Sequence, residues 1–294
     1  MSAIAEAGGV LFVASGGNRI HVRCYDLDGQ RLEAGFRWDA PEGERADANA
    51  LAVDGDRRLW IADRRRGIVR VFNLFGTPTH QLGNSPGPVD DRAAHLGRPS
   101  ALAVRGTSDD LELIVGSSGE RRHGVQVFGA GGELLRSLQP SGNSHGRFRG
   151  VVGVSAAGRW VIAAEPRGRV HVWRDREFHF EFDVRAALGG RGRRAVVRAV
   201  VRAVVALEDG SAIAALDGLG AGIVLFDPSG RFERELVPSA DGDHPAAVED
   251  PVGLALAPAS GSREPRLALL DQGGARLSVL DLAGECQAQN HALG

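Results

Sequence analysis

Apolar residues recur along this chain in short runs, broken by glycine, aspartate, proline and arginine. Within the runs the alternation has period two. "IVRVF" (68–72) and "RVHVW" (169–173) put apolar side chains at every second position, as a β-strand does and a helix of period 3.6 does not. Between "LWIAD" and "IVRVF" stand three consecutive arginines, Arg64, Arg65 and Arg66, which reads as a turn between two strands.

The runs repeat. An apolar residue, aromatic in five cases, closes one strand of each unit at Tyr25, Phe72, Phe128, Trp173, Phe226 and Leu280, at spacings of 47, 56, 45, 53 and 54 residues. A glycine follows four positions later in every unit except the fourth, which has Glu177 there. Each anchor strand is preceded by a matching run ("LFVAS", "LWIAD", "ELIVG", "WVIAA", "AIAAL", "LALLD"), and before that by a strand of small residues such as "ALAV" or "VVGV". A further strand follows the glycine. A period of this length is the mark of a repeat architecture. Six units of four short strands predict an all-β, six-bladed β-propeller of four-stranded antiparallel blades, at about 2–38, 48–83, 98–140, 148–184, 202–238 and 250–293, as one domain. Blades packed around a ring cover both faces of each sheet and leave short edges. The small residues suit the crowded axis, and the aromatic anchors the wider outer part of each blade.

"ALAVDGDRRLWIADRRRGIVRVFNLFG" resembles an NHL repeat, and the other five units are similar to degenerate versions of it. The resemblance spans nearly the whole chain. Such propellers include RNA-binding and protein-interaction modules, sensors, lyases and lactonases, so it implies a fold and not one activity. Some related propellers bind metal at the channel mouth. The lactonase-like relatives place acids and asparagines on the inner strands, whereas here Glu6 is the only acid among them, with Asp54 just past the end of one.

Composition removes several chemistries. All 35 basic residues are arginine and none is lysine, so Schiff-base catalysis and a P-loop are excluded. The net charge of −2 predicts no global attraction to nucleic acid or acidic membranes. No stretch approaches the length of a membrane span, and "MSAIAEAGGVLFVAS" lacks the basic start of a signal peptide. The expected compartment is the cytoplasm. Cys24 and Cys286 fall on the first and last blades, which adjoin; two unpaired thiols are expected there, with a disulfide latch as the alternative.

In a propeller the turns between second and third strands share one face with the connections between blades. There the sequence puts Arg64, Arg65, Arg66, Arg121, Arg122, Arg167 and Arg169, whereas the corresponding segments of the last two blades are poor in arginine and more acidic. Guanidinium forks suit carboxylate and phosphate. The expectation is a non-catalytic interaction module or accessory subunit that docks an acidic protein through this face; the plain alternative is a solvated rim. Bases need aromatic platforms, and Phe148 alone stands among these segments, which argues against RNA. The enzymatic alternative is a metal-dependent lyase or hydrolase at the channel mouth, with His95, His145 and His244 as metal ligands. No other cofactor is expected. Gly190, Gly192 and Ala195 mimic a dinucleotide fingerprint with Asp209 downstream, but no proper strand and helix frame them. A short helix carrying Arg194, Arg198 and Arg202 on one side is the expectation for that connection.

Overall fold

Runs that are apolar at every position, such as "LWIA", are what a strand buried on both faces requires. In this computed structural model, which describes residues 2–17, 19–40, 45–83, 96–107, 110–118, 124–140, 148–189, 200–217, 222–238, 247–259, 264–271 and 276–290, those runs are the second strands of six four-stranded sheets. The first blade comprises β1 (Ser2–Ala7), β2 (Val10–Ser15), β3 (Arg19–Asp26) and β4 (Arg31–Asp39); the second β5 (Ala48–Val53), β6 (Leu59–Asp63), β7 (Ile68–Phe72) and β8 (Pro78–Gly83). The third has β9 (Pro99–Arg105), β10 (Glu112–Ser117), β11 (Gly124–Phe128) and β12 (Leu134–Leu138); the fourth β13 (Gly153–Ala157), β14 (Trp160–Ala164), β15 (Arg169–Arg174) and β16 (Glu177–Asp183). The fifth has β17 (Val200–Ala206), β18 (Ala212–Asp217), β19 (Gly222–Phe226) and β20 (Phe232–Val237); the sixth β21 (Pro251–Ala257), β22 (Arg266–Asp271), β23 (Arg276–Asp281) and β24 (Cys286–Asn290). Every blade is an antiparallel meander of consecutive strands.

The core is divided. Six apolar clusters lie among the described residues, each shared by two neighbouring blades. Alternate residues of a second strand serve different clusters: Leu59 and Ile61 of β6 face the first blade, while Trp60 and Ala62 face the third. The anchors Tyr25, Phe72, Phe128, Phe226 and Leu280 are fully buried and Trp173 nearly so. Burying each of these side chains contributes about 2 kcal/mol.

The ring closes without an exchanged strand. β1 packs on β21, and Ile4, Leu11, Val13 and Tyr25 share a cluster with Ala268, Leu270, Leu277 and Val279. Gly253 keeps this seam tight, since a Cβ there would stand 2.8 Å from Ile4.

Two local departures have physical causes. The fourth blade needs no glycine after its anchor because Asp175 and Arg176 (φ 50° and 74°) form a two-residue hairpin with both residues left-handed. Arg202, expected on a helix with Arg194 and Arg198, belongs instead to β17, whose pairing with β18 sets its backbone, and a short helix, α1 (Val184–Gly189), directly follows β16. Gly190, Gly192, Arg194, Ala195 and Arg198 lie outside the described residues. Asp209 accepts hydrogen bonds from the Ser211 N–H and hydroxyl at 2.8 and 3.0 Å, so it closes the β17–β18 turn.

Candidate functional site

Among the described residues, the turns joining second to third strands carry arginines in the second and fourth blades. In the second blade the Gly67 N–H donates to the Asp63 carbonyl (3.0 Å) and closes the turn on Arg64, Arg65 and Arg66. Arg65 is exposed, and Arg64 and Arg66 are half-buried. Arg66 is already engaged, its Nε 3.9 Å from Asp63 Oδ2. In the fourth blade the Gly168 N–H donates to the Glu165 carbonyl (3.1 Å), which leaves Arg167 exposed at the tip. Arg169 is the first residue of β15, and its Nη1 lies 3.5 Å from Glu181 Oε1 on β16. Among the described residues, the side chains of Arg64, Arg65 and Arg167 form no ion pair. Arg121 and Arg122 lie outside the described residues, as do His95, His145 and His244. Among the described residues no group of three His, Cys, Asp or Glu side chains could hold a metal ion.

Sequence reasoning passed over the acids beneath these turns. In the second and sixth blades the second strand ends in Asp63 and Asp271, in the fourth Glu165 follows it directly, and all three carboxylates are buried. Asp271 accepts the N–H groups of Glu249 and Asp250 (3.2 and 2.8 Å) from the connection entering its blade. Glu165 does the same for Arg149 at 3.0 Å, and its other oxygen lies 2.8 Å from Nε2 of the fully buried His171. His171 Nδ1 is 3.3 Å from Glu181 Oε2. In the third blade Ser117 takes the position and donates to the Leu96 carbonyl. Burial pushes the Glu165 carboxyl up, but the His171 and Arg149 hydrogen bonds outweigh it and hold the group below its ordinary range. Asp63 is pushed up by burial, which the Arg66 N–H and guanidinium only partly offset. A polar residue at the end of each second strand was the available signal; the quoted runs "LWIAD" and "LALLD" contain it.

Phe148 is 3% exposed, its ring centroid 4.9 Å from that of His171, so it offers no platform for a base. At the other end of the ring axis the inner strands surround a cavity of about 370 Å³. Its wall is Ala, Val, Leu, Ile and Pro258, with Ser155, Glu6 and Glu208 as the polar side chains. Burial raises the Glu6 carboxyl, partly offset by the Gly9 N–H donating at 2.7 Å. Glu112, at the start of β10, is the most heavily paired carboxylate described. It meets Arg105 of β9, Arg136 of β12 in a two-pronged contact (2.7 and 2.8 Å), and Arg176 of the next blade at 3.3 Å. Both cysteines are free, Cys24 buried and Cys286 half-buried.

These features define a class: an all-β, six-bladed propeller of four-stranded antiparallel blades. No protein-family model and no curated protein matches the chain. Among solved structures it is similar to the WD40 β-propeller domain of Doa1 (TM-score 0.59, 15% identity, 98% of this chain and 81% of that one). It is equally similar to virginiamycin B lyase from Staphylococcus aureus (TM-score 0.59, 12% identity, 98% of this chain and 83% of that one). At such identities the likeness is one of fold. No helix among the described residues is long and apolar enough to cross a membrane.

Proposed function

We propose that this propeller is a protein-interaction module that docks an acidic partner through the face bearing the second-to-third-strand turns. The observation that carries the reading is the state of three arginines. Arg64, Arg65 and Arg167 stand on turns of that face with side chains unpaired among the described residues, while the acids beside them are committed to the backbone. A guanidinium that is not neutralised from within its own chain is ready for a carboxylate from outside. The rigid ring holds turns of different blades in fixed relation, so little ordering entropy opposes docking. Equal likeness to a WD40 domain and to a lyase does not decide between a binding and a catalytic role.

The test is affinity capture by the wild type and by Arg64→Glu, Arg65→Glu and Arg167→Glu combined, with circular dichroism as a check on folding. A partner held by the wild type, released by the triple variant and weakened by salt supports the reading. A partner retained equally by the folded variant refutes it. So does one metal ion per chain that is lost on changing His95, His145 and His244.

A further inference from the structure

The first and second blades meet over a gap whose counterpart between the fourth and fifth blades is filled by an indole. Compare the β13–β14 and β1–β2 hairpins. Trp160 pairs with Ala157 at the start of β14, and Val10 pairs with Ala7 at the start of β2, so the two hold equivalent positions. The Trp160 indole reaches the turn of the following blade. It donates to the Glu208 carbonyl at 3.1 Å, and it lies so close to Gly210 that a Cβ there would come within 2.8 Å. Val10 is far too small to make that contact with the second blade.

The fourth strand widens the gap. In the second to sixth blades the register between third and fourth strands slips by one residue beside the anchor, as in Val71↔His80 followed by Phe72↔Pro78, and the fifth blade has a second, separate one-residue slip between Ile223 and Val224. In the first blade Arg23↔Gly35 is followed by Tyr25↔Arg31, a slip of two. The larger bulge leaves Cys24 and residues 32–34 out of the paired register. An apolar pocket of about 170 Å³ results, lined by Val10, Phe12, Val22, Cys24, Phe36 and Leu59 among others.

One cation stands in its lining. Arg57 occupies the turn position that Gly210 holds in the fifth blade, since both N–H groups donate back three residues, to Asp54 and Leu207. Its φ is 60°, a left-handed conformation that costs a side-chain-bearing residue roughly 1–2 kcal/mol and glycine nothing. Arg57 is exposed, lies beside Gly8, and forms no ion pair among the described residues. A dry cavity of about 150 Å³ is enough to admit a benzene ring. A guanidinium at the edge of such a space adds recognition of an anion.

We infer that the pocket between the first and second blades binds a small monocarboxylic acid with a single-ring or short aliphatic body, the body among Val10, Val22, Cys24 and Phe36 and the carboxylate on Arg57. The site lies on the face opposite the arginine turns and is independent of partner docking. The test is a ligand-observed ¹⁹F NMR titration of the full chain with 4-fluorophenylacetate, 4-fluorotoluene and 4-fluorophenethylamine. The acid is expected to bind at least about tenfold more tightly than the neutral and cationic analogues, the scale of one charge-assisted pair. Arg57→Gln should remove that preference and leave weak binding of the ring. Val10→Trp, which copies the side chain that fills the equivalent space at Trp160, should abolish binding of all three while the protein stays folded by circular dichroism. The inference falls if the acid shows no binding, if it shows no preference over fluorotoluene, or if folded Val10→Trp binds it unchanged.

Discussion

Replacing Glu112 by glutamine should cost this protein stability in a way that vanishes in acid. The carboxylate is 5% exposed and meets three guanidinium groups, two in its own blade and Arg176 from the next. Burial alone would raise its pKa; the hydrogen bonds and charges of Arg136 and Arg105 prevail and hold it at about 2, against an ordinary 4.5. A lowering of that size corresponds to roughly 3 kcal/mol at about 1.4 kcal/mol per pH unit. Because the arginines keep contact with water, about 2 kcal/mol is the expected loss at neutral pH. The sign follows from the depressed pKa. The contribution is fully present above about 4.5, the unfolded value, and is lost as pH falls from there through about 2. Urea denaturation of wild type and Glu112→Gln, at about pH 7 and again at the lowest pH where both still fold, measures the gap. It should be near 2 kcal/mol at the first pH and narrow at the second. A gap below about 0.5 kcal/mol at neutral pH, the level of an ordinary surface change, would refute the reasoning. So would a gap that does not narrow in acid.

Three further outcomes are expected. Gly253→Val should destabilise by about 1–3 kcal/mol, because the added side chain meets Ile4 across the seam where the ring closes; an unchanged denaturation midpoint would mean the seam is loose. Asp54→Ala should cost about 2–4 kcal/mol, since Asp54 accepts from the N–H groups of Asp56 and Arg58, from Arg58 Nε and from the buried Trp60 indole at 2.9 Å; Trp60 fluorescence and urea melts report it. Burial pushes the Cys24 thiol up to about 11, so a thiol reagent at about pH 8 should modify the half-buried Cys286 first and reach Cys24 only when the pH approaches about 11 or on unfolding; mass spectrometry separates the two, and equal rates in the native state at about pH 8 would contradict the burial.

Much of the architecture was legible in the chain because its signals are local. Period-two alternation, a buried anchor closing each third strand, and turn residues at constant offsets depend only on neighbours along the chain, so they mark strands and blades without knowledge of the fold. The positions of Arg64 to Arg66 and Arg167 on turns follow from the same logic. Other properties depend on distances between blades, which no single repeat encodes. "LWIAD" does not reveal that Asp63 is buried under its own arginine, nor does "EPRGR" reveal that Arg169 faces Glu181. Glu112 looks like any charged residue until Arg105, Arg136 and Arg176 arrive from three other segments. The pocket beside Val10 is plainest in this respect. It exists because one bulge is a residue larger than its counterparts and one valine stands where another blade has tryptophan. A repeat specifies how a blade is made; how closely two blades approach is settled only when their side chains meet across the ring.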